Sequence, residues 1–443
     1  MHRIIAQLLM YDALEEDCVL KELAKVTKAL EEGSGHKPEM ISTCFHQVKK
    51  ILEVGTDYGF DKNLWHNYLT FLIITDENPF SLTSEKIGAN EGSVNAFVKH
   101  DFKAFMDLFS YDFGPLEQEL GIDCFTRLQN YQAIIKPELM YNRNVSEKVR
   151  HLSEALEKAL DEEEFFTLVT EFYRDYGVGM FGLNKAFRIR GTGEEMKFTA
   201  INNMDDVVLN DLVGYEIQKK KLIENTESFV QGRKANNVLL FGDSGTGKST
   251  SIKAIVNEYY KDGLRMIEIY KHQFADLSNV IAAVKNRNYK FIIYMDDLSF
   301  EEFEIEYKFL KAVIEGGVET KPDNVLIYAT SNRRHLINET WKSRGDVEVN
   351  DGIHKSDTMQ EQLSLVNRFG VTIYYGKPAP KEFYTIVIEL ARRSGITQEK
   401  MSDEELTLEA NRWELAHGGI SGRTAQQFVN YLLGTKFLDS ALD

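Results

Sequence analysis

One octapeptide, GDSGTGKS at residues 242–249, constrains the fold of this 443-residue chain more than any other feature. It follows a short apolar segment, NVLLFG at residues 237–242, and precedes a segment with helical character. The pattern G-x-x-x-x-G-K-[ST] between a strand and a helix is typical of a loop that surrounds phosphate groups. We therefore expect a parallel α/β sheet that carries this loop at the carboxyl end of one strand.

The loop contains the residue types that phosphate binding requires. Gly242, Gly245 and Gly247 allow the backbone to curl so that successive N–H groups face the phosphates, and the dipole of the next helix adds positive potential. Lys248 is expected to reach the β- and γ-phosphates, and the Ser249 hydroxyl to bind Mg²⁺. The predicted binding residues of this segment are Gly242, Asp243, Ser244, Gly245, Thr246, Gly247, Lys248, Ser249 and Thr250.

The pattern from residue 201 onwards alternates strands with helices. The strand segments are short, rich in β-branched or aromatic residues and almost continuously apolar, as strands covered on both faces are. We therefore predict a P-loop NTPase core with a parallel five-stranded sheet. Its predicted strands are residues 237–242, 265–270, 291–296, 325–330 and 371–376.

Only helical patterns follow Pro378 and Pro380, and these predict a small C-terminal helical lid. Its predicted helices are residues 381–393, 403–417 and 421–433.

Polar residues at two strand ends suggest the chemistry of the site. Asp296 and Asp297 end the segment FIIYMDD, where Asp296 would hold Mg²⁺ through water and Asp297 would orient or deprotonate an attacking water molecule. Asn332 follows the strand VLIYAT and would hold that water against the γ-phosphate. Each residue alone could simply close a strand or form a turn, but their combination with the phosphate loop favours the catalytic interpretation.

The first 193 residues are mostly helical in pattern, and the segment VSEKVRHLSEALEKAL at 145–160 shows this most clearly. A G-x-G-x-x-G pattern at Gly177, Gly179 and Gly182 follows a helical segment instead of a strand, so we interpret it as an interdomain turn and not as a dinucleotide site. The predicted organisation is a helical partner or regulatory domain at 1–193, an ATPase core at 194–378 and a lid at 379–443.

The composition excludes several other classes of protein. Acidic residues outnumber basic ones by 69 to 52, a formal net charge of −17, which disfavours bulk nucleic-acid binding but does not exclude a local basic patch. Three cysteines are too few for a disulfide framework or a zinc site, and this indicates a reducing, cytoplasmic location. The longest apolar run, residues 68–75, is too short to cross a bilayer, so we expect no membrane insertion.

Taken together, these segments resemble the AAA+ ATPases. The C-terminal part is similar to a bacterial ATP-binding family of unknown function within that group, and the similarity weakens over residues 1–190. The segments that carry it are LVGYEIQKKKLIENTESFVQG, NNVLLFGDSGTGKS, DDLSFEE, YATSNRRHL, SLVNRFG and SGRTAQQFV.

The resemblance implies roles for further residues. Gly214 and Tyr215 match a segment that lines the adenine pocket, Asp296 matches the acid associated with magnesium, and Asn332 matches the sensor-one position. Arg423 resembles the sensor-two arginine that contacts bound nucleotide.

The resemblance also implies contacts between subunits. Arg368, in NRFG, resembles an arginine finger that enters a neighbouring subunit, with Arg333 or Arg334 as alternatives. AAA+ proteins usually have Glu where this chain has Asp297, whose side chain is one methylene shorter. This departure puts the general base in doubt, and Glu301 and Glu302 in the SFEE segment are alternatives.

These observations favour an ATPase that uses ATP and Mg²⁺, forms a homo-oligomer and remodels a macromolecular partner bound by the N-terminal helical domain. A second hypothesis is a slow or non-hydrolysing ATP-dependent switch. A third is a DNA-replication accessory protein similar to the helicase loaders. This third hypothesis requires a basic, aromatic-bearing surface, which the overall charge does not supply.

Overall fold

A computed structural model of the chain describes residues 1–12, 18–133, 143–201, 204–300, 306–315, 322–332 and 365–436. The chain divides into two compact units, Met1–Asn184 and Lys185–Asp443. The sequence predicted this boundary between residues 193 and 194. The difference arises because residues 186–190 form a strand that joins the sheet of the second unit.

The described secondary structure of the first unit consists of helices, apart from one β-bridge between Lys62 and Tyr131. Its core is rich in aromatic rings. The dense run of aromatic residues at 65–80 predicts a core segment, and Trp65, Tyr68 and Phe80 from this run are buried. The helices are α1 His2–Ile5, α2 Val19–Glu31, α3 Lys37–Tyr58, α4 Leu64–Thr75, α5 Pro79–Ile87, α6 Ser93–Phe109, α7 Gly114–Leu120, α8 Cys124–Gln129, α9 Arg143–Leu156, α10 Glu162–Tyr176 and α11 Gly179–Leu183.

The second unit contains one sheet, which has seven strands in the described residues. The strands are β1 Ala186–Arg190, β2 Lys197–Ala200, β3 Val238–Gly242, β4 Leu264–Glu268, β5 Lys290–Met295, β6 Val325–Ser331 and β7 Val371–Tyr375, and their order is β2-β1-β4-β5-β6-β3-β7.

All five predicted strands are present as β3 to β7, and each is parallel to its neighbours among these five. The prediction of a five-stranded, wholly parallel sheet is wrong because β1 adds to β4 and β2 pairs antiparallel with β1. These two strands are short and rich in charged residues, and they adjoin glycines, so their pattern does not resemble that of a strand covered on both faces.

Helices of the second unit flank the sheet and form the lid. They are α12 Glu216–Val230, α13 Lys248–Tyr259, α14 Leu277–Val284, α15 Glu306–Glu315, α16 Pro380–Arg393, α17 Asp403–Ala416 and α18 Gly422–Thr435. The last three match the predicted lid helices and share an apolar core that includes Phe383, Leu406 and Phe428. Ser402 and Ser421 cap α17 and α18 with their side-chain oxygens, which fixes where each helix begins.

The sheet topology determines where functional groups converge. β3, β6 and β5 are consecutive parallel neighbours, so their carboxyl ends lie at one edge of the sheet. The phosphate-loop segment, the Asp296–Asp297 pair and Asn332 follow these three strands. Among the described residues, no helix is long and apolar enough to cross a membrane.

Candidate nucleotide-binding site

The loop between β3 and α13 has the curled backbone that its glycines allow. Gly242, Gly245 and Gly247 have φ values of 135°, 75° and 88°, a region that side chains rarely tolerate. A Cβ on Gly242 would collide with the carbonyl oxygen of Tyr375 on the adjacent strand. The loop therefore lies directly against the end of β7, and α13 begins at Lys248.

Lys248 is almost fully buried at the base of the loop. Its Nζ donates to the carbonyl oxygens of Gly242 at 3.0 Å and Asp243 at 2.6 Å, and to Oδ1 of Asn332 at 3.0 Å. Burial lowers the pKa of Lys248, while the nearby carboxylate of Asp297 opposes this shift. The ammonium group is thus held among oxygen acceptors beside the strand ends.

Asp296 is surrounded by hydroxyl donors. Its Oδ1 accepts hydrogen bonds from Ser249 Oγ at 2.8 Å and from Thr330 Oγ1 at 2.6 Å. Burial alone would raise its pKa, but the hydrogen bonds around the carboxylate, led by that from Thr330, lower the pKa below its ordinary value. Asp296 is therefore an anion held next to the first turn of α13.

Asp297 adopts a backbone conformation that is unusual for a residue with a side chain. Its φ is 48°, in the left-handed region that Asp and Asn tolerate better than most residues. Its N–H donates to Thr330 Oγ1 at 2.9 Å, and its Oδ1 accepts from Asn332 Nδ2 at 2.8 Å. Asn332 therefore joins the buried ammonium of Lys248 to this carboxylate.

A segment preceding α12 forms one wall of the site. Tyr215 caps α12 with φ 60°, donates from its hydroxyl to the Gly376 carbonyl at 2.9 Å and stacks on Tyr375 with ring centroids 5.1 Å apart. Burial raises the pKa of Tyr215 to about 12, so its hydroxyl remains a donor at neutral pH. Gly214, with φ 80°, allows the turn that brings Tyr215 to this position.

The lid forms another wall. The backbone N–H of Arg423, in the first turn of α18, donates to the carbonyl oxygen of Gly245 at 3.1 Å. Ile386 and Leu390 of α16 present apolar side chains to the same space.

A cavity of about 590 Å³ lies between these walls, and most of the predicted site residues line it. Its described lining is Asp211, Leu212, Val213, Tyr215, Gly245, Thr246, Gly247, Lys248, Ser249, Thr250, Asp296, Asp297, Thr330, Asn332, Ile386, Leu390, Gly422, Arg423 and Gln426.

Five of the predicted site residues are not in the described lining of this cavity. Gly242 and Asp243 line a neighbouring depression, where Asp243 Oδ2 accepts from the Lys377 N–H at 3.0 Å. Ser244 is exposed at the tip of the loop, and Gly214 is not in the described lining although both its neighbours are. Arg368 is half-buried in the turn before β7, outside the described lining. The alternative residues Arg333, Arg334, Glu301 and Glu302 lie outside the described residues.

The sequence did not single out Thr330 or the apolar half of the cavity. Thr330 is 2% exposed and contacts both acids, and its only signal was a hydroxyl two residues before Asn332 at the end of a strand. Leu212 and Val213 line the same cavity as Ile386 and Leu390 of the lid. No local pattern indicates that such distant segments meet.

The fold and the site together define a nucleotide-binding domain of the AAA+ ATPase superfamily. The phosphate loop follows the strand between β6 and β7, the acids follow β5, and a three-helix lid contacts the loop. The chain belongs to the family described as "Protein of unknown function (DUF815)", whose model matches residues 183–436.

Similarity to other known proteins is more limited. The replication factor C large subunits of Methanococcus vannielii and Methanococcus maripaludis strain C6 are each 38% identical to this chain over 73 residues, which is 16% of this chain and only 15% of the relatives' length. The solved structure of a Thermotoga maritima RuvB mutant is 16% identical, with a TM-score of 0.35 over 52% of this chain and 66% of that chain. The FIGL-1 AAA domain in complex with ADP is 19% identical, with a TM-score of 0.35 over 52% and 74% of the two chains.

Proposed function

We propose that this protein binds Mg²⁺-ATP in the cavity between the phosphate loop, the segment before α12 and the lid, and that it hydrolyses the bound ATP. The observation that carries this proposal is a continuous hydrogen-bonded series that runs from Ser249 through Asp296, Thr330, Asp297 and Asn332 to Lys248. It joins a phosphate loop to two acids and an amide, the groups that phosphoryl transfer to water requires.

The lining of the cavity combines polar and apolar groups, which suit the phosphates and the base of a nucleotide. The loop backbone, Lys248 and the acids supply polar groups to its lining, whereas Leu212, Val213, Ile386 and Leu390 supply apolar ones. A volume of about 590 Å³ lies within the usual range for small-molecule pockets. The triphosphate would lie against the polar groups, and the purine base would lie against apolar side chains from the segment before α12 and from the lid.

Ser249 and Asp296 suit a magnesium ion. Both offer oxygen ligands, and the lowered pKa of Asp296 keeps its carboxylate ionised. When bound, Mg²⁺ neutralises charge on the phosphates and on the transferring phosphoryl group.

Hydrolysis would proceed by attack of a water oxygen on the γ-phosphorus, with breakage of the bond between that phosphorus and the β–γ bridging oxygen. Asp297 would accept the proton of the water, and Asn332 would hold the carboxylate in place. Lys248 and Arg423 would stabilise the negative charge of the transition state. A carboxylate has two oxygens, so the hydrogen bond to Oδ1 of Asp297 is compatible with Oδ2 accepting from water.

The slow-switch alternative is supported by one specific observation. Asp297 has a shorter side chain than the glutamate usual in AAA+ proteins, and its Oδ1 is bound to Asn332. Such a carboxylate would reach water less easily, so ATP would be held longer and the bound state itself would carry the signal.

We further propose that the active form is a homo-oligomer that acts on a protein partner. Arg368 lies outside the described lining of the cavity in its own chain, and this supports a role at the site of a neighbouring copy. An arginine finger supplied in this way raises turnover by about 10³- to 10⁵-fold. The first unit lies outside the family match and is helical and acidic, so we assign partner binding to it.

Steady-state ATP hydrolysis over a series of protein concentrations tests this proposal. Specific activity should rise with concentration in the wild type, and both Lys248→Ala and Arg368→Ala should abolish it. Arg233→Ala removes an exposed arginine of the second unit and should have no effect. Tight ATP binding without turnover at any concentration would favour the switch, whereas turnover that survives Lys248→Ala would contradict the site assignment.

A further inference from the structure

A basic face lies on the β1–β2 hairpin at the edge of the sheet. Arg188 and Arg190, two residues apart on β1, point to the same side, and both are exposed. The antiparallel register places Lys197 opposite Arg190 and Thr199 opposite Arg188, so Lys197 shares this side and is also exposed. Three cationic side chains thus stand together in a chain whose net charge is −17.

The Arg190–Lys197 pair is unfavourable in the isolated protein. Like charges directly opposite each other on neighbouring strands destabilise a sheet. Neither residue forms an ion pair with the part of the chain that the structure describes. Glu268 on this face is already bound by Arg188, Asp276 accepts the Gly193 N–H in the turn between the strands, and Glu195 lies in the same turn. An anionic ligand would relieve the repulsion.

Aromatic rings adjoin the basic face. Tyr270 follows β4, is 42% exposed and donates to Glu268 Oε2 at 3.2 Å. The guanidinium of Arg188 lies 5.8 Å from the centre of the Tyr270 ring. The ring of His272 is nearly parallel to that of Tyr270, with an interplanar angle of 9° and centroids 6.0 Å apart, and His272 is exposed. The surface therefore offers cations beside accessible flat rings.

We propose that this face, formed by Arg188, Arg190, Lys197, Tyr270 and His272, binds single-stranded nucleic acid. The cations would contact phosphates, and the exposed rings would stack with unpaired bases. An acidic peptide would satisfy the charges but would offer no bases to stack on the exposed parts of these rings. A duplex would satisfy the phosphate contacts but keeps its bases inaccessible to these rings.

The face lies at the same edge of the sheet as the proposed ATP site. β1, β4 and β5 are parallel, so Arg190, Tyr270 and Asp296 all lie at or just beyond carboxyl ends. Burial raises the pKa of Tyr270, with Glu268 and Asp296 among the nearby charges that contribute to this shift. Nucleic-acid binding at this face would not require ATP hydrolysis, because the face is formed by strand pairing and by exposed charged side chains.

Fluorescence anisotropy tests the inference with a labelled oligothymidylate in a salt series. An oligonucleotide of roughly 20 nucleotides is suitable because such surfaces commonly cover about 4–16 nucleotides. The full-length wild type should bind, and Arg190→Gln/Lys197→Gln should weaken binding at least about tenfold at low salt. The slope of log affinity against log salt should fall by about 1.4, that is 0.7 for each lost phosphate contact. Arg233→Gln/Lys234→Gln changes the charge equally at another exposed site and should bind as the wild type does.

Tyr270→Ala distinguishes stacking from charge. It should weaken binding by about tenfold through lost stacking while the salt slope stays unchanged. Unaltered circular dichroism and ATP binding in every variant would show that folding and the nucleotide site are intact.

Three outcomes would overturn the inference. They are a wild type that does not bind the oligonucleotide at low salt, an equal loss in the Arg233/Lys234 control, and stronger binding of polyglutamate with the same dependence on Arg190 and Lys197. The last would identify an acidic polypeptide as the partner.

Discussion

The hydroxyl of Thr330 donates a hydrogen bond of 2.6 Å to Oδ1 of Asp296. The oxygen of this hydroxyl also accepts the backbone N–H of Asp297 at 2.9 Å. One buried hydroxyl therefore fixes both the proposed magnesium-binding acid and the backbone of the proposed general base. Neither contact is visible in the spacing of these residues along the chain.

Thr330→Val should reduce turnover because valine keeps the shape of threonine but neither donates to Asp296 nor accepts from Asp297. Hydrogen bonds to charged groups contribute about 1.5–3 kcal/mol, so we expect kcat to fall by about 10- to 150-fold, with a higher Mg²⁺ requirement. Steady-state kinetics under magnesium titration measure both effects. Thr330→Ser retains the hydroxyl and should recover most of the activity; a Val variant with wild-type kinetics would remove Thr330 from the site.

Lys248→Ala should abolish ATP binding, because its ammonium is the buried cation at the base of the phosphate loop. Isothermal titration calorimetry measures the loss directly. Lys253→Ala is the matched control on the same helix, since Lys253 pairs with Asp205 and lies outside the described lining of the cavity. Equal loss of binding in both variants would indicate damage to α13 instead of a specific contact.

Asp297→Glu should increase turnover if the short carboxylate limits hydrolysis. The additional methylene would extend the reach of the base by roughly 1–1.5 Å. Single-turnover hydrolysis of bound ATP isolates this step from product release. Slower hydrolysis in the Glu variant would show that the left-handed backbone at position 297 already places the aspartate correctly, and Asp297→Asn should be inactive in either case.

Asp296 should make stability depend on pH. Its pKa in the folded protein is lower than the ordinary 3.8, so its contribution to the free energy of unfolding is fully present above that ordinary value. The contribution is lost as pH falls through the lower, folded-state pKa. Urea unfolding at neutral pH and below pH 3.8 should therefore show a smaller acid-induced loss in Asp296→Asn than in the wild type. Identical losses would mean that the hydrogen bonds do not stabilise the anion.

Local patterns predicted much of the second unit. The phosphate loop, strands β3 to β7 and the three lid helices each depend on periodicity or on a compact motif, which the sequence displays directly. The aromatic core segment of the first unit was also predictable, because a dense run of large apolar side chains must be buried.

Contacts between distant segments were not predictable in the same way. β2 is the edge strand and β1, which alternates charged with apolar residues, lies between β2 and β4, so the place of both strands in the sheet depends on pairing with β4 and not on their own composition. The basic face arises from this pairing, whereas the net charge of the chain suggested no such surface. Likewise, the presence of Leu212 and Leu390 in the lining of one cavity depends on tertiary structure alone.

The hydrogen bond from the Arg423 N–H to the Gly245 carbonyl connects the lid to the phosphate loop through main-chain atoms only. Truncation of the side chain at position 423 would remove a guanidinium but leave this main-chain hydrogen bond in place. The proposed contact of the Arg423 guanidinium with nucleotide and the main-chain coupling of the lid to the loop are therefore separable properties of one residue. Substitution of Arg423 with another non-proline residue should therefore keep the hydrogen bond between the lid and the phosphate loop but remove the guanidinium that would contact bound nucleotide.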